Sequence, residues 1–237
     1  MMTVILITEL ILNNKKYQVL KILIIAAHPD DEILGVGGTI LKHSINGDEV
    51  EAIILATGIT SRIGESKDKI EKLRVDSKKV CKLLKMKKVT HHNFPDNKMD
   101  SVPLLDVVKV IEDKISKFKP EKIFTHHYND LNIDHRITYQ ATLTACRPIN
   151  STVNEIICFE IPSSTEWNYP QKFNPNYFVN ISKQLKMKIK AMETYKGEIR
   201  KFPHPRSSKY LKVLAEKWGA VSGNNAAEAF EIIRKIE

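Results

Sequence analysis

Short apolar runs alternate along this chain with stretches in which apolar residues recur every three or four positions. KILIIAA, residues 21–27, is apolar at successive positions, as expected of a strand covered on both faces in a parallel sheet. GVGGTILKHSING follows and predicts a helix that stops at Asn46-Gly47. Glu49 to Thr57 predicts the next strand. From Ser66 to Lys85 the residues Ile70, Leu73, Val80, Leu83 and Leu84 fall at helical spacing. VTHHNF reads as a short strand and FPDNKMDS as a turn-rich connection. Val102 to Phe118 reads as a helix stopped before Pro120, Glu121 to His127 as a strand, and Asp134 to Cys146 as a helix.

This alternation predicts an α/β fold: a Rossmann-like, mostly parallel sheet with helices on both faces. Beyond Pro148 the pattern changes. NEIICFEI and FNPNYFVNI are strand-like, and Ser182 to Tyr195 is helical with Ser182 as the expected cap, so the C-terminal third is elaborated. No repeat or flexible linker interrupts the chain. The expected organisation is an N-terminal extension, 1–19, and a single domain, 20–237.

Composition adds a few limits. With 237 residues, 42% hydrophobic and 27% charged, the chain can bury a real core. Its net charge of +9 is weak support for an acidic ligand. The lysines are spread along helical stretches with no compact block alternating Arg and aromatics, so they read as solvated helix faces and no nucleic-acid partner is expected. Cys81, Cys146 and Cys158 are far apart and odd in number, which argues against a disulfide framework or a thiolate zinc site and suits a reducing compartment. The apolar start, MMTVILITELILNNKK, is too short to span a bilayer, contains Glu9 and lacks a basic leader, so the expected location is cytoplasmic. It reads as an extra strand, an oligomer contact or upstream sequence, which leaves room for a homo-oligomer.

Ligands of open α/β sheets bind at the carboxyl ends of the strands. Three such exits are rich in His and Asp: His28 to Glu32, Pro95 to Asp100, and Asn129 to His135. The cluster Gly35-Val36-Gly37-Gly38 lacks the GxGxxG order, and three acids stand where a pyrophosphate would lie, so a dinucleotide is disfavoured. The glycines instead suit close packing of the first helix on the sheet. A metal explains the acids better. His28, Asp31 and His135 offer two imidazoles and one carboxylate, a set that leaves an open position for water. Asp30, between two candidate ligands, is then free to act as a general base. The competing reading makes Asp30 and Asp31 caps of the first helix. His91, His92, His126 and His127 read as strand-end or core histidines.

Ala27-His28-Pro29-Asp30-Asp31-Glu32 resembles the AHPDDE signature of the PIG-L-type, or LmbE-like, N-acetyl-sugar deacetylases. Further matches follow in order: Arg74, Pro95 to Asp100, Asp130 to Arg136, Pro203 to Ser207 and Ala227 to Phe230. The resemblance implies a hydrolase that uses a zinc-bound water, with Zn2+ (or Fe2+) on His28, Asp31 and His135 and Asp30 as general base. It would release acetate from an N-acetylated amino sugar or its glycoconjugate, a small-molecule substrate. Many relatives read HPDH where this chain has Asn132-Ile133-Asp134-His135. Asn132 can donate a hydrogen bond but cannot serve as an acid. Either Asn132 alone stabilises the oxyanion, or His204 of PHPRS replaces the missing imidazole.

Asp134 either orients His135 from behind or caps the helix it opens. Asp130 either orients a metal ligand or closes a turn. Arg74, Asp96 and Arg206 are candidate substrate contacts, with structural ion pairing as the alternative for both arginines. Substrate choice is expected in loops around Ser61-Arg62, Asp96 to Asp100 and Pro162 to Pro175. Within the last, Glu166-Trp167-Asn168-Tyr169 offers aromatic rings for a sugar face, or else loop core or a subunit contact. Two other functions share these features: an amidase for a larger N-acyl or thiol-conjugate amide, and a sugar or nucleotide-sugar binder without turnover.

Overall fold

The computed structural model describes residues 18–59, 67–149, 151–170 and 172–237. The bulk of the N-terminal extension, and the Ser61-Arg62 pair, lie outside the described residues. Strand β1 (Lys21–Ala26) is buried from Ile22 onward, because both of its faces are covered. Helix α1 (Asp31–Ile45), strand β2 (Glu49–Ala56), helix α2 (Lys67–Leu83) and strand β3 (Lys88–Phe94) continue the alternation. Helix α3 (Leu104–Phe118), strand β4 (Lys122–His126), helix α4 (Ile133–Ala145) and strand β5 (Glu155–Phe159) complete it.

The C-terminal third adds strand β6 (Tyr177–Asn180), helix α5 (Leu185–Thr194), helix α6 (Ser208–Ser222) and strand β7 (Ala227–Lys235). The seven strands form one sheet in the order β3-β2-β1-β4-β5-β7-β6. Pairing is parallel from β3 through β5, and β7 runs antiparallel to both β5 and β6. One face carries α1, α2, α5 and α6 on a core that includes Ile24, Ile33, Phe124, Tyr195 and Phe230. The other carries α3 and α4 on Leu23, Ile25, Ile53, Val107 and Ile111.

The strand order reverses at β1, which lies between β2 and β4, so the crevice above β1 and β4 is where this topology admits a ligand. Helix α1 begins at Asp31, four residues before the glycine cluster, and the acids therefore form its first turn. The glycines lie inside the helix, where they permit close approach. A Cβ on Gly35 would stand 2.3 Å from the Phe159 ring, and one on Gly38 would stand 2.8 Å from Ile181.

Glu228 of β7 reaches into the same helix: its carboxylate accepts from the backbone N–H of Gly38 (2.8 Å) and Thr39 (2.7 Å). Lys188 of α5 completes the brace with bonds to Glu228 (2.6 Å) and to the carbonyl of Leu34 (2.9 Å). Two sequence expectations change here. Helix α5 starts at Leu185 with Gln184, not Ser182, at its cap position. Ser182 is drawn instead to Asn180 and the Ala226 carbonyl, which stitches β6 to β7. Helix α6 and strand β7 carried no assignment from the pattern of apolar residues. No helix among the described residues is long and apolar enough to cross a membrane.

Candidate metal centre and catalytic cleft

The turn from β1 into α1 is built to hold its acids. Asp30 has φ +105°, in the left-handed region that a side-chain-bearing residue enters at a cost of roughly 1–3 kcal/mol. Its backbone N–H donates to Glu32 Oε2 at 3.0 Å, and Tyr195 donates its hydroxyl to Glu32 Oε1 at 2.6 Å. Glu32 is thus the clamp that keeps this turn in its strained form. Burial pushes the Glu32 pKa up to about 7, against the opposing pull of the Tyr195 bond. Asp31 turns back to accept from the His28 backbone N–H at 2.8 Å.

His28, Asp31 and His135 converge. His28 Nδ1 lies 3.2 Å from Asp31 Oδ2 and 3.2 Å from His135 Nε2, and His135 Nε2 lies 3.3 Å from Asp31 Oδ2. The other nitrogen of each ring faces a carboxylate. His28 Nε2 stands 2.9 Å from Asp134 Oδ2 and 3.3 Å from Asp96 Oδ1, and His135 Nδ1 stands 2.9 Å from Asp130 Oδ1. Those partners hold one proton of each ring on its outer nitrogen, so that loss of the inner protons leaves two lone pairs and a carboxylate oxygen facing one another. Ligands bonded to a tetrahedral ion at about 2.0–2.1 Å are separated by about 3.3 Å, the size of this triangle. Asp31 Oδ1 is also buried without a hydrogen-bond partner. The donor set therefore fits a divalent cation that takes nitrogen and oxygen ligands.

The charge balance agrees. Burial by itself would lower the pKa of His28, yet the bonded carboxylates of Asp134 and Asp31 carry it up to about 10. His135 is likewise raised to about 9, because Asp130 and Asp31 outweigh its burial. Burial works to raise the Asp31 carboxyl, but the positive charge of His135 and the neighbouring His126 hold it well below the usual range. These carboxylates call for positive charge, which protons supply when no cation does.

Asp30 lies beside the triangle, 1% exposed. Burial raises its pKa well above the usual carboxylate value, and Arg206 opposes that rise. Arg206 Nη1 donates to Asp30 Oδ2 at 3.0 Å and to Glu198 Oε2 at 3.2 Å, while its Nε donates to Ser163 Oγ at 3.0 Å. The cleft itself, about 50 Å3, is lined by His28, Asp30, Asp96, Asn132, Glu198 and Arg206 among others.

Several expected roles shift. Asp134 serves His28 rather than His135, and its carboxylate also accepts from the N–H groups of Asn97 (2.6 Å) and Met99 (2.9 Å). The partner of His135 is Asp130, which Ser164, Thr165 (2.6 Å) and the Asn132 N–H (2.8 Å) hold in place. Asn132, not Asp134, caps α4: its Oδ1 accepts from Asp134 N–H at 2.8 Å and its Nδ2 donates to Asn97 at 2.8 Å. Asp96 faces His28 from the cleft wall. Arg74 donates to Asn93 at the end of β3 and is not among the residues lining the cleft. His204 also lies outside that lining, and its Nδ1 accepts from the Arg206 N–H at 3.1 Å.

Two participants carried no sequence signal of their role. His126 is fully buried, stacks on His135 with ring centroids 4.0 Å apart, and accepts from the Ala27 N–H at 2.9 Å. Glu198 reaches the cleft through Arg206 from a segment without a motif.

The chain is similar to known proteins. A diacetylchitobiose deacetylase of Thermococcus kodakarensis is 28% identical, over 95% of this chain and 87% of that protein. An uncharacterized deacetylase of Escherichia coli, YaiS, is 29% identical over 74% of this chain and 90% of its own length. The fold matches the crystallised N,N'-diacetylchitobiose deacetylase of Pyrococcus horikoshii with a TM-score of 0.75 and 24% identity, covering 96% of this chain and 89% of that one. The profile of the PIG-L family, described as GlcNAc-PI de-N-acetylase, matches residues 23–146. That span holds all three corners of the triangle and the acids behind it, and the chain belongs to the PIG-L family.

Proposed function

We propose that the protein is a metal-dependent N-deacetylase that releases acetate from an N-acetylated amino sugar or its glycoconjugate. The observation that carries the reading is the triangle of His28, Asp31 and His135 with Asp30 at its side. The deacetylase relatives support the same reaction. Zn2+ is the first candidate for the metal and Fe2+ the second, since both accept two imidazoles and a carboxylate. Bound there, the cation supplies Lewis acidity, which makes a water molecule acidic near neutral pH and polarises the acetamide carbonyl.

The remaining work falls to the chain. Arg206 holds Asp30 Oδ2, so Oδ1 is the atom that takes the proton of the attacking water. Asn132 lines the cleft and has one N–H left on Nδ2 after its bond to Asn97, so it is the neutral donor for the developing oxyanion. His204 then acts as a loop support for Arg206. Asp30 returns its proton to the departing amine, which leaves acetate and a free amino sugar.

A metal-dependent acetate assay tests the reading: chelate, restore Zn2+ or Fe2+, and screen N-acetylglucosamine, diacetylchitobiose and phosphate-linked forms. Metal-restored release from one class is the expected result. Metal bound near one per chain without acetate from any class would move the function to a larger N-acyl amide. No metal bound would remove the assignment of His28, Asp31 and His135.

A further inference from the structure

A second concavity, about 370 Å3, opens toward the other end of the sheet, between edge strand β3 and helix α3. Its volume lies in the range of small-molecule sites. Lys88, Thr90 and His92 hold alternate positions of β3 and so share the face that lines it, while Lys114 and Lys117 come from α3. Lys21, the first residue of β1, and Lys87 complete the basic lining, with Phe118 among them. His28 lies beyond the far end of β1. At about 3.3 Å per residue, that six-residue strand puts roughly 20 Å between Lys21 and the metal triangle.

The charges in its walls do not cancel. The lysines at 21, 87, 88, 114 and 117 meet two lining carboxylates, Glu51 and Asp113. Glu51 is paired with Lys114 and Asp113 with Lys117 (2.7 Å), and Glu49, from outside the lining, takes Lys87 at 2.8 Å. Glu121 meets the Lys21 backbone nitrogen, at 3.5 Å, and not its ammonium. Lys21 and Lys88 are therefore left without an ion-pair partner among the described residues. Three of the ammoniums also crowd one ring: Lys21, Lys87 and Lys114 stand 5.9, 6.0 and 5.4 Å from the Phe118 centroid. A concave wall with surplus charge of one sign concentrates the opposite sign. A neutral donor is present too, since Thr90 Oγ1 is buried without a hydrogen-bond partner, a cost that a ligand oxygen would remove. Lysines on an edge strand ordinarily serve to keep it from pairing with another chain. That role covers Lys88. It does not cover Lys21, whose strand is flanked by β2 and β4, or the unpartnered hydroxyl of Thr90.

We propose that this cavity binds a small phosphate-bearing anion at a site apart from the reaction, with Lys21 and Lys88 supplying the surplus charge and Thr90 a hydroxyl donor. A phosphoryl group carries close to two negative charges at neutral pH, which matches the two lysines left over, and its oxygens accept from ammonium and hydroxyl alike. A carboxylate carries one charge and matches the pair less well. None of His28, Asp30, Asp31 or His135 lines the cavity, so the site stands whether or not the chain is a deacetylase.

Isothermal titration of the metal-loaded protein at constant ionic strength tests the site, with inorganic phosphate and ADP as the probes. Saturable binding is expected, about tenfold weaker when Lys21→Gln and Lys88→Gln are combined. Lys183→Gln with Lys186→Gln removes the same charge from exposed positions elsewhere and should leave the affinity unchanged. Thr90→Val should also weaken binding, yet the thermal midpoint of the ligand-free protein should not fall, because the deleted hydroxyl has no partner there. Equal affinity for the two probes would assign the site to the phosphoryl group alone, and tighter binding of ADP would extend it to a nucleotide. Three results overturn the site: no saturable binding, equal weakening in the Lys183 and Lys186 control, or binding that survives the Lys21 and Lys88 changes and disappears on chelation, which puts the phosphate on the metal. Capture of a DNA duplex through the same lysines, with both small anions ignored, would overturn the ligand class.

Discussion

Asp30 combines three properties at one residue: a left-handed backbone, nearly complete burial, and a cationic partner in Arg206. Strain of that kind persists only when neighbours over-determine it, and here Glu32 holds the backbone of Asp30 and Arg206 its side chain. Replacement by Asn keeps the shape and removes the proton acceptor. Asp30→Asn should lower kcat by roughly 10²–10⁴-fold while metal content, measured by elemental analysis, stays unchanged. The acids behind the ligands should behave otherwise. Asp130→Asn should weaken metal affinity about 10–100-fold in competition with a chelator, because His135 loses the group that fixes its ring. Sequence spacing gave His28, Asp31 and His135 as a set, since each stands at a strand exit. It left Asp134 either behind His135 or as a helix cap, and neither holds: neighbours on a helix point apart and Asn132 takes the cap, whereas Asp130, before the helix, reaches His135.

Among the elements, α1 bears the most distinctive constraint. Its glycines admit Phe159 and Ile181, and its middle turn bonds to Glu228 and Lys188, both nearly fully buried. Gly35→Ala should cost about 1–3 kcal/mol, read as a lowered thermal midpoint, because the new methyl meets the Phe159 ring. Glu228→Ala leaves the Lys188 charge buried without its carboxylate and should cost about 3–5 kcal/mol in urea unfolding; Glu228→Ala with Lys188→Met should recover part of that loss. The alternating strands and helices up to β5 were legible, since β1, β2 and β5 are built around apolar runs, residues 22–26, 52–56 and 156–159, set between helical patterns. Strand β7 was not. Its insertion between β5 and β6 is decided by partners far away in the chain, and its outer half is only partly buried, which weakens any local pattern.

At the scale of the molecule, a metal bound on the proposed triangle would replace protons. His28 and His135, raised to about 10 and about 9 from an ordinary 6.5, both carry protons at neutral pH in the metal-free protein. Metal binding at pH 7 should therefore release about two protons, measurable by calorimetry in buffers of different ionisation enthalpy. The same shifts set a stability profile. Because both folded values lie above the unfolded ones, their contribution is complete below about pH 6.5 and is lost as pH rises through about 9 and 10. Chelated protein should thus lose stability across that alkaline window, and metal-loaded protein should lose less.

The brace between Glu228 and α1 also has a consequence during synthesis on the ribosome. Residues 28–31 emerge early, yet the helix they open is fastened by a side chain almost two hundred positions later. A nascent chain that has displayed its proposed metal ligands still lacks the strut that fixes the helix carrying Asp31. With the proposed metal centre, a chain cut short before β7 keeps His28, Asp31 and His135 in its sequence and should fail to retain the metal in competition with a chelator.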